Sequence, residues 1–210
     1  MPRSIDYYFS ASSPWTMFGH DTFVELANKH DLAVAYHPIR LADVFAETGG
    51  LPLPKRAQAR KDYRMHELKR WRDFHSLQIN LEPKFFPVDD QRANQLINYA
   101  EDQLAEMAPL VRAVGRAVWF DEKNIDDPED LRAILISLDL DPGWVEAAEQ
   151  DEEAADRITR ESKEAIEAGV IGAPCYVFRG EPFWGQDRLD LLSWHLDRVF
   201  ADEGDGRAEG

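Results

Sequence analysis

Hydrophobic positions follow a period of two near both ends of the chain and a helical period through its middle. Ile5 to Phe9 is β-branched and aromatic, fit for a pleated, buried strand, and Leu32 to Ile39 alternates apolar with other residues as a second. Between them Trp15, Phe18, Phe23, Leu26 and Ala27 recur at near-helical spacing, which predicts a helix over 14–29 and makes the two strands parallel. Residues 48–54, Thr-Gly-Gly-Leu-Pro-Leu-Pro, break both patterns, because two glycines and two prolines in seven positions fit neither a helix interior nor a central strand. Helical patterning then continues to Gly169, over 55–77, 91–104, 109–120 and 151–168. Two more helix starts are marked at Asp127-Pro128 and Asp141-Pro142, where an Asp cap precedes proline. Strand character returns at 175–178 and 182–184 across an Arg179-Gly180 turn, and a last helix is expected over 189–200, capped by Asp187.

The order β-α-β, helices, β-β-α predicts an α/β chain with a thioredoxin-like fold, residues 1–47 and 169–200, split by an all-helical insertion at 48–168. Strands that far apart still pair, since the entropy of closing a loop grows only slowly with its length. Residues 201–210 are acidic and glycine-rich with little to bury, and are expected to form a disordered tail.

A net charge of −16 speaks against nucleic acid or an anionic membrane as partner, since both need a basic footprint. The charge is uneven: between Lys55 and Arg72 eight Lys/Arg stand against two acids, a local +6 that leaves −22 on the rest. That helix reads either as a solvated, salt-bridged face or as a funnel for a small anion. The single cysteine, Cys175, allows no intrachain disulfide. With no apolar run of signal-peptide or membrane-spanning length, the expected setting is the cytoplasm. The histidines, at 20, 30, 37, 66, 75 and 195, lack metal-ligand spacing, so no metal site is expected.

Candidate chemistry gathers where the first strand meets the first helix. Ser13-Pro14-Trp15-Thr16 has the form of the Cys-Pro-x-Cys of a thioredoxin-type oxidoreductase with both thiols exchanged for hydroxyls. Ser13 can cap the helix, with Pro14 suited to its first turn. It can equally donate to a thiolate carried by a ligand, whose pKa the helix end lowers. Disulfide exchange is set aside, because there is no Cys-x-x-Cys pair. A second element, Gly-Ala-Pro at 172–174 before an apolar strand, fits a cis bond at Pro174, and the Ala173 backbone can then pair with an extended peptide. Glutathione is such a peptide. The third element is Gln186-Asp187: Asp187 either caps the last helix or holds an α-ammonium, while Gln186 and the helix N–H groups can take the adjoining carboxylate.

The segments Tyr8-Phe-Ser-Ala-Ser-Ser-Pro-Trp15, Tyr63 with Arg70-Trp71, Ala168-Gly-Val-Ile-Gly-Ala-Pro174 and Phe183-Trp-Gly-Gln-Asp-Arg-Leu189 together resemble the 2-hydroxychromene-2-carboxylate isomerases. That family lies in the DsbA-like thioredoxin superfamily beside the kappa-class glutathione transferases. The resemblance implies a homodimer that uses glutathione, with Ser13 in the place of the catalytic serine, Ala173 before the cis-proline, and Gln186 and Asp187 on the γ-glutamyl group. It also implies cis-trans isomerisation of a small aromatic carboxylate by thiolate addition, bond rotation and elimination. Arg60, Lys61 or Arg64 would orient the substrate carboxylate, arginine giving the better bidentate grip. Phe45, Phe85, Phe86 and Tyr99 are candidate lining residues. A transferase that leaves glutathione joined to an electrophile, or a glutathione- or peptide-binding protein without turnover, stand as alternatives. Two positions depart from the family pattern. Relatives carry an asparagine in the loop after Thr-Gly where this chain has Gly50-Leu51, and Cys175 replaces a threonine and reads as a small apolar strand residue.

Overall fold

Strand β1 (Ser4–Phe9) runs inside a four-stranded mixed sheet of order β2-β1-β3-β4, in a computed structural model that describes residues 3–205. It pairs in parallel with β2 (Ala33–Pro38) and antiparallel with β3 (Cys175–Phe178), which makes a hairpin with β4 (Glu181–Trp184). Helix α1 (Pro14–Lys29) crosses between the two parallel strands as the spacing predicts.

Alternation along β1 divides the core between the two faces of the sheet. On one face Tyr7 lies 4.9 Å from Phe9, 5.3 Å from Tyr176 and 4.6 Å from Phe23 of α1, measured between ring centres. Each such buried side chain contributes roughly 1.5–3 kcal/mol, and the stack ties three elements together. On the other face Tyr8, Cys175 and Val177 pack with Val44 of α2 (Leu41–Thr48) and Ala165 of α8 (Glu152–Glu167).

The helical block comprises α3 (Gln58–Phe74), α4 (Gln91–Glu101), α5 (Ala108–Trp119), α6 (Pro128–Ser137), α7 (Trp144–Gln150) and α8. Its apolar residues, among them Leu96, Leu110 and Trp119, join Ile5, Tyr7 and Phe9 in one continuous cluster. Asp127 and Asp151 cap α6 and α8 as expected, accepting the N–H groups of Glu129 at 2.9 Å and Glu153 at 3.0 Å.

Four details differ from the sequence expectation. Helix α2 was hidden because Arg40 precedes it without a side-chain cap, although Gly49 ends it in the left-handed conformation at φ 80°. Helix α7 begins at Trp144, since Asp141 accepts from the Gly143 N–H at 2.8 Å and so turns the chain before the helix. Asp187 does not cap α9 (Leu189–Asp205): it lies within a single 3₁₀ turn, Gln186–Arg188, and its carboxylate takes the Arg188 guanidinium at 2.7 Å. Helix α9 also carries residues 201–205 of the stretch expected to be disordered. Arg3 sits 4.2 Å over the Phe200 ring and anchors the helix there, and each further helical residue adds a bond at little cost once the helix exists. Residues 206–210 lie outside the described part of the chain.

Candidate functional site

Ser13 ends the β1–α1 turn with an extended backbone (φ −73°, ψ 127°), its N–H bonded to the Ser10 carbonyl at 3.1 Å. Its Oγ accepts the Thr16 N–H at 3.3 Å, a long bond, and among the described residues its hydroxyl proton has no acceptor. The side chain is 7% exposed and borders two cavities. These share Ser13, Trp15, Leu41, Phe45 and Arg56 as a common wall.

The first chamber, about 780 Å³, brings together Ser13, Ala173, Gln186 and Asp187, with Arg60 also on its wall. The Ala173–Pro174 bond is cis, as is Phe86–Pro87, which the sequence reading did not anticipate. Ala173 is buried, and its N–H and C=O make no backbone bond among the described residues. Gln186 is buried beside it, whereas the Asp187 carboxylate is half exposed and paired with Arg188.

The second chamber, about 430 Å³, holds Arg64, Phe86, Ser10, Ser12 and Asp90. Of the three cations considered for a substrate carboxylate, the structure places Arg64 here and Arg60 in the first chamber. Lys61 borders neither, its ammonium donating to the Pro54 carbonyl at 2.9 Å. Phe45 and Phe86 line the chambers; Phe85 lies under Lys84, and Tyr99 packs against Trp144 in the helical block.

A model of the DSBA-like thioredoxin domain matches residues 4–197. The 2-hydroxychromene-2-carboxylate isomerase of Pseudomonas putida is 29% identical over 207 residues, 96% of this chain and 98% of the relative. That of Pseudomonas sp. (strain C18) is 30% identical over 195 residues, 90% of this chain and 87% of the relative. The chain belongs to the DSBA-like thioredoxin family and, within it, to the 2-hydroxychromene-2-carboxylate isomerases. A solved isomerase of that name matches with a TM-score of 0.78 at 27% identity, covering 96% of this chain and 98% of that one.

Arg64, Phe86 and Trp119 form a packed cation–aromatic group beside the second chamber. The Arg64 guanidinium lies 5.2 Å over the Phe86 ring and 5.9 Å over Trp119, and those two rings are 4.7 Å apart. Its Nη2 is buried without a partner, and burial, together with Arg56 nearby, pushes its pKa down to about 10. The Trp119 indole, buried behind Phe86, donates to the Ser12 carbonyl at 3.1 Å and so ties that packing to the turn that carries Ser13.

Asp90 is the residue the sequence reading missed. It stands at the start of α4 but caps nothing there. Its Oδ2 instead accepts the Ser10 hydroxyl at 2.6 Å, the Ser12 hydroxyl at 2.9 Å and the Ser12 N–H at 3.3 Å. Burial holds its pKa above the usual carboxylate range, and the serine bonds offset only part of that. The two extra hydroxyls at 10 and 12 were the available sign that the turn serves more than a helix cap.

The departures resolve physically. A Cβ on Gly50 would fall 2.2 Å from the Phe45 ring, so this position takes glycine unless Phe45 moves, while Leu51 after it is half exposed. Cys175 is buried in β3 and borders neither chamber, with its thiol pushed up to about 12 by burial.

Proposed function

We propose that the protein is a glutathione-dependent cis-trans isomerase of the 2-hydroxychromene-2-carboxylate type, acting on a small aromatic carboxylate. The observation that carries this reading is that the Ser13 hydroxyl borders both a peptide-sized chamber and an aromatic one holding an unpaired arginine.

The first chamber fits glutathione by its donor set. The Ala173 backbone offers ladder bonds to a tripeptide, and Gln186 and Asp187 offer groups for the γ-glutamyl end. When bound, glutathione supplies a thiolate that adds to the conjugated carbon and leaves again, so that a fixed double bond becomes for a time a single bond free to rotate. Ser13 donates its hydroxyl proton toward that sulfur, and the α1 N-terminus behind it favours the anion and lowers the thiol pKa. Arg64 grips the substrate carboxylate while Phe86, which Trp119 backs from the core, receives the ring. Arg60, exposed at the cleft, raises the local concentration of anions.

Self-association as a homodimer suits the exposed Tyr63, Ile171 and Trp184 around the first chamber. A cytoplasmic setting suits a thiol cofactor that must stay reduced. No described helix is long and apolar enough to cross a membrane. The test is calorimetry with glutathione, together with isomerisation rates measured with and without it. Absent binding, or rates indifferent to glutathione, would overturn the reading.

A further inference from the structure

We propose that Asp90 is the residue that recognises the ring-bound oxygen of the substrate in the second chamber and carries its proton. The inference rests on the preceding reading of that chamber as the place of the aromatic substrate.

Asp90 has turned away from the helix it begins, and its three recorded donors all converge on Oδ2. Oδ1 accepts no hydrogen bond among the described residues, and the residue lines the same chamber as Arg64. Yet no ion pair among the described residues joins Arg64 to Asp90 or to any other acid. Two opposite charges withdrawn from water and left apart are costly, and a purely structural pair would have closed on itself. A ligand that carries a carboxylate for Arg64 and a hydroxyl for Asp90, with its ring on Phe86, satisfies both at once.

The chemistry of a 2-hydroxychromene-2-carboxylate gives such a group work to do. In the closed form one carbon bears both the ring oxygen and a hydroxyl, so one carboxyl reaches both. As the ring carbon–oxygen bond breaks, its electron pair goes to the ring oxygen, which takes the Asp90 proton and becomes a phenol. The O–H electron pair of the neighbouring hydroxyl forms the ketone, and its proton passes to the Asp90 carboxylate. Asp90 is regenerated and no oxidant or second reactant is consumed. The Ser10 and Ser12 hydroxyls hold the carboxylate while it is charged. Burial, with Asp89 beside it, holds the carboxyl above the usual carboxylate range, and Arg40, Arg56 and Arg64 are the charged groups that line the same chamber.

The experiment measures binding of trans-benzylidenepyruvate with and without an ortho hydroxyl group, by tryptophan fluorescence, to the wild-type chain and to Asp90→Asn and Asp90→Leu. The wild type should favour the hydroxylated ligand by about tenfold or more, and both variants should lose that preference to within about threefold. Ring opening by Asp90→Asn should slow by about a hundredfold, with loss of the alkaline limb of its pH profile, where Asp90 would otherwise give up the proton it donates. If Asp90→Asn weakens both ligands alike and keeps their ratio, Asp90 is structural and the proposal is wrong. Thermal melts on both variants must show a wild-type-like transition, because a collapsed site would also bring the ratio toward one. Should neither variant fold, a wild-type preference below about threefold is itself decisive against it. A wild type that prefers the hydroxyl but ignores glutathione would remove the cofactor and keep Asp90; glutathione-dependent turnover without the preference would do the reverse.

Discussion

The guanidinium carbon of Arg64 lies 5.2 Å from the centre of the Phe86 ring, held there with one nitrogen buried and unpaired. Burying a cation without a counter-charge costs stability, so the arrangement makes sense as a receptor for an anion. Replacing Arg64 by Met should leave the thermal midpoint unchanged or raise it, because an apolar chain of similar length fills the same space. The same change should lower kcat/KM for the aromatic carboxylate by about 10- to 100-fold, mainly through KM, with Arg64→Lys recovering part of the loss. Thermal melts and steady-state kinetics on both variants read the two effects separately. A destabilised Arg64→Met protein with unchanged KM would assign Arg64 to packing.

Ser13→Ala tests the other wall of the same site. The bond it makes as a cap is long, 3.3 Å, so stability should fall by no more than about 0.5–1 kcal/mol. If the hydroxyl supports a bound thiolate, the pKa of the glutathione thiol in the complex should rise by about 1–2 units, seen as loss of thiolate absorbance during a pH titration. Turnover should fall with it. An unchanged thiol pKa in the variant would take Ser13 out of the chemistry.

The parts of this molecule that sequence made visible are those written in consecutive residues. The Ser13-Pro14 helix start, the Gly-Ala-Pro loop and the Gln186-Asp187 turn each announce themselves by local backbone chemistry, and the structure brings all three to one chamber. Asp90 is different. Its neighbours Asp89 and Gln91 make it look like an ordinary acid at a helix start, while its true partners Ser10 and Ser12 lie 80 and 78 positions away. Arg64 sat among eight cations whose charges are equivalent on paper. Only the fold decides that Arg64 turns onto Phe86 while Lys61 is tied to Pro54. The Asp187 cap failed for a related reason: Arg188 next to it offers a stronger, charged partner than the helix N–H groups do.

His37 gives the fold a signature in pH. Its ring nitrogens meet Asp6 at 3.1 Å and Glu161 at 3.2 Å. Burial opposes the charge, but these two carboxylates outweigh it and hold the pKa up at about 9. Since that lies above the unfolded value of about 6.5, the stabilisation is complete below pH 6.5 and is lost as pH rises through 9. Allowing for solvent at half-exposed Asp6, the loss should be on the order of 2 kcal/mol. His20, His30 and His75 are held below their ordinary value by burial, so their changes fall at lower pH. Chemical denaturation at pH 6.5 and 9.5 should therefore show a drop in the wild type that His37→Gln lacks. Parallel pH profiles for the two proteins would mean that the clamp contributes nothing.

Gly19 and Gly115 separate helix propensity from packing at the site. Both lie inside helices, where Gly→Ala ordinarily stabilises by up to about 1 kcal/mol. At Gly115 a new Cβ would meet Met17 at 3.5 Å, an ordinary contact, so Gly115→Ala should be neutral or stabilising. At Gly19 it would fall 2.7 Å from the Gln186 Cβ and 2.9 Å from the Tyr176 hydroxyl. Overpacking of that kind costs about 1–3 kcal/mol and outweighs the propensity gain, so Gly19→Ala should be destabilising on balance. The Gln186–Arg188 turn rests on α1 through this glycine, and the clash pushes Gln186 off the first chamber. Gly19→Ala should therefore also weaken glutathione binding several-fold, while Gly115→Ala leaves it alone. Denaturation and calorimetry on the pair decide the matter, because a Gly19→Ala protein that loses stability yet binds with full affinity would show that Gln186 is not part of the ligand's grip.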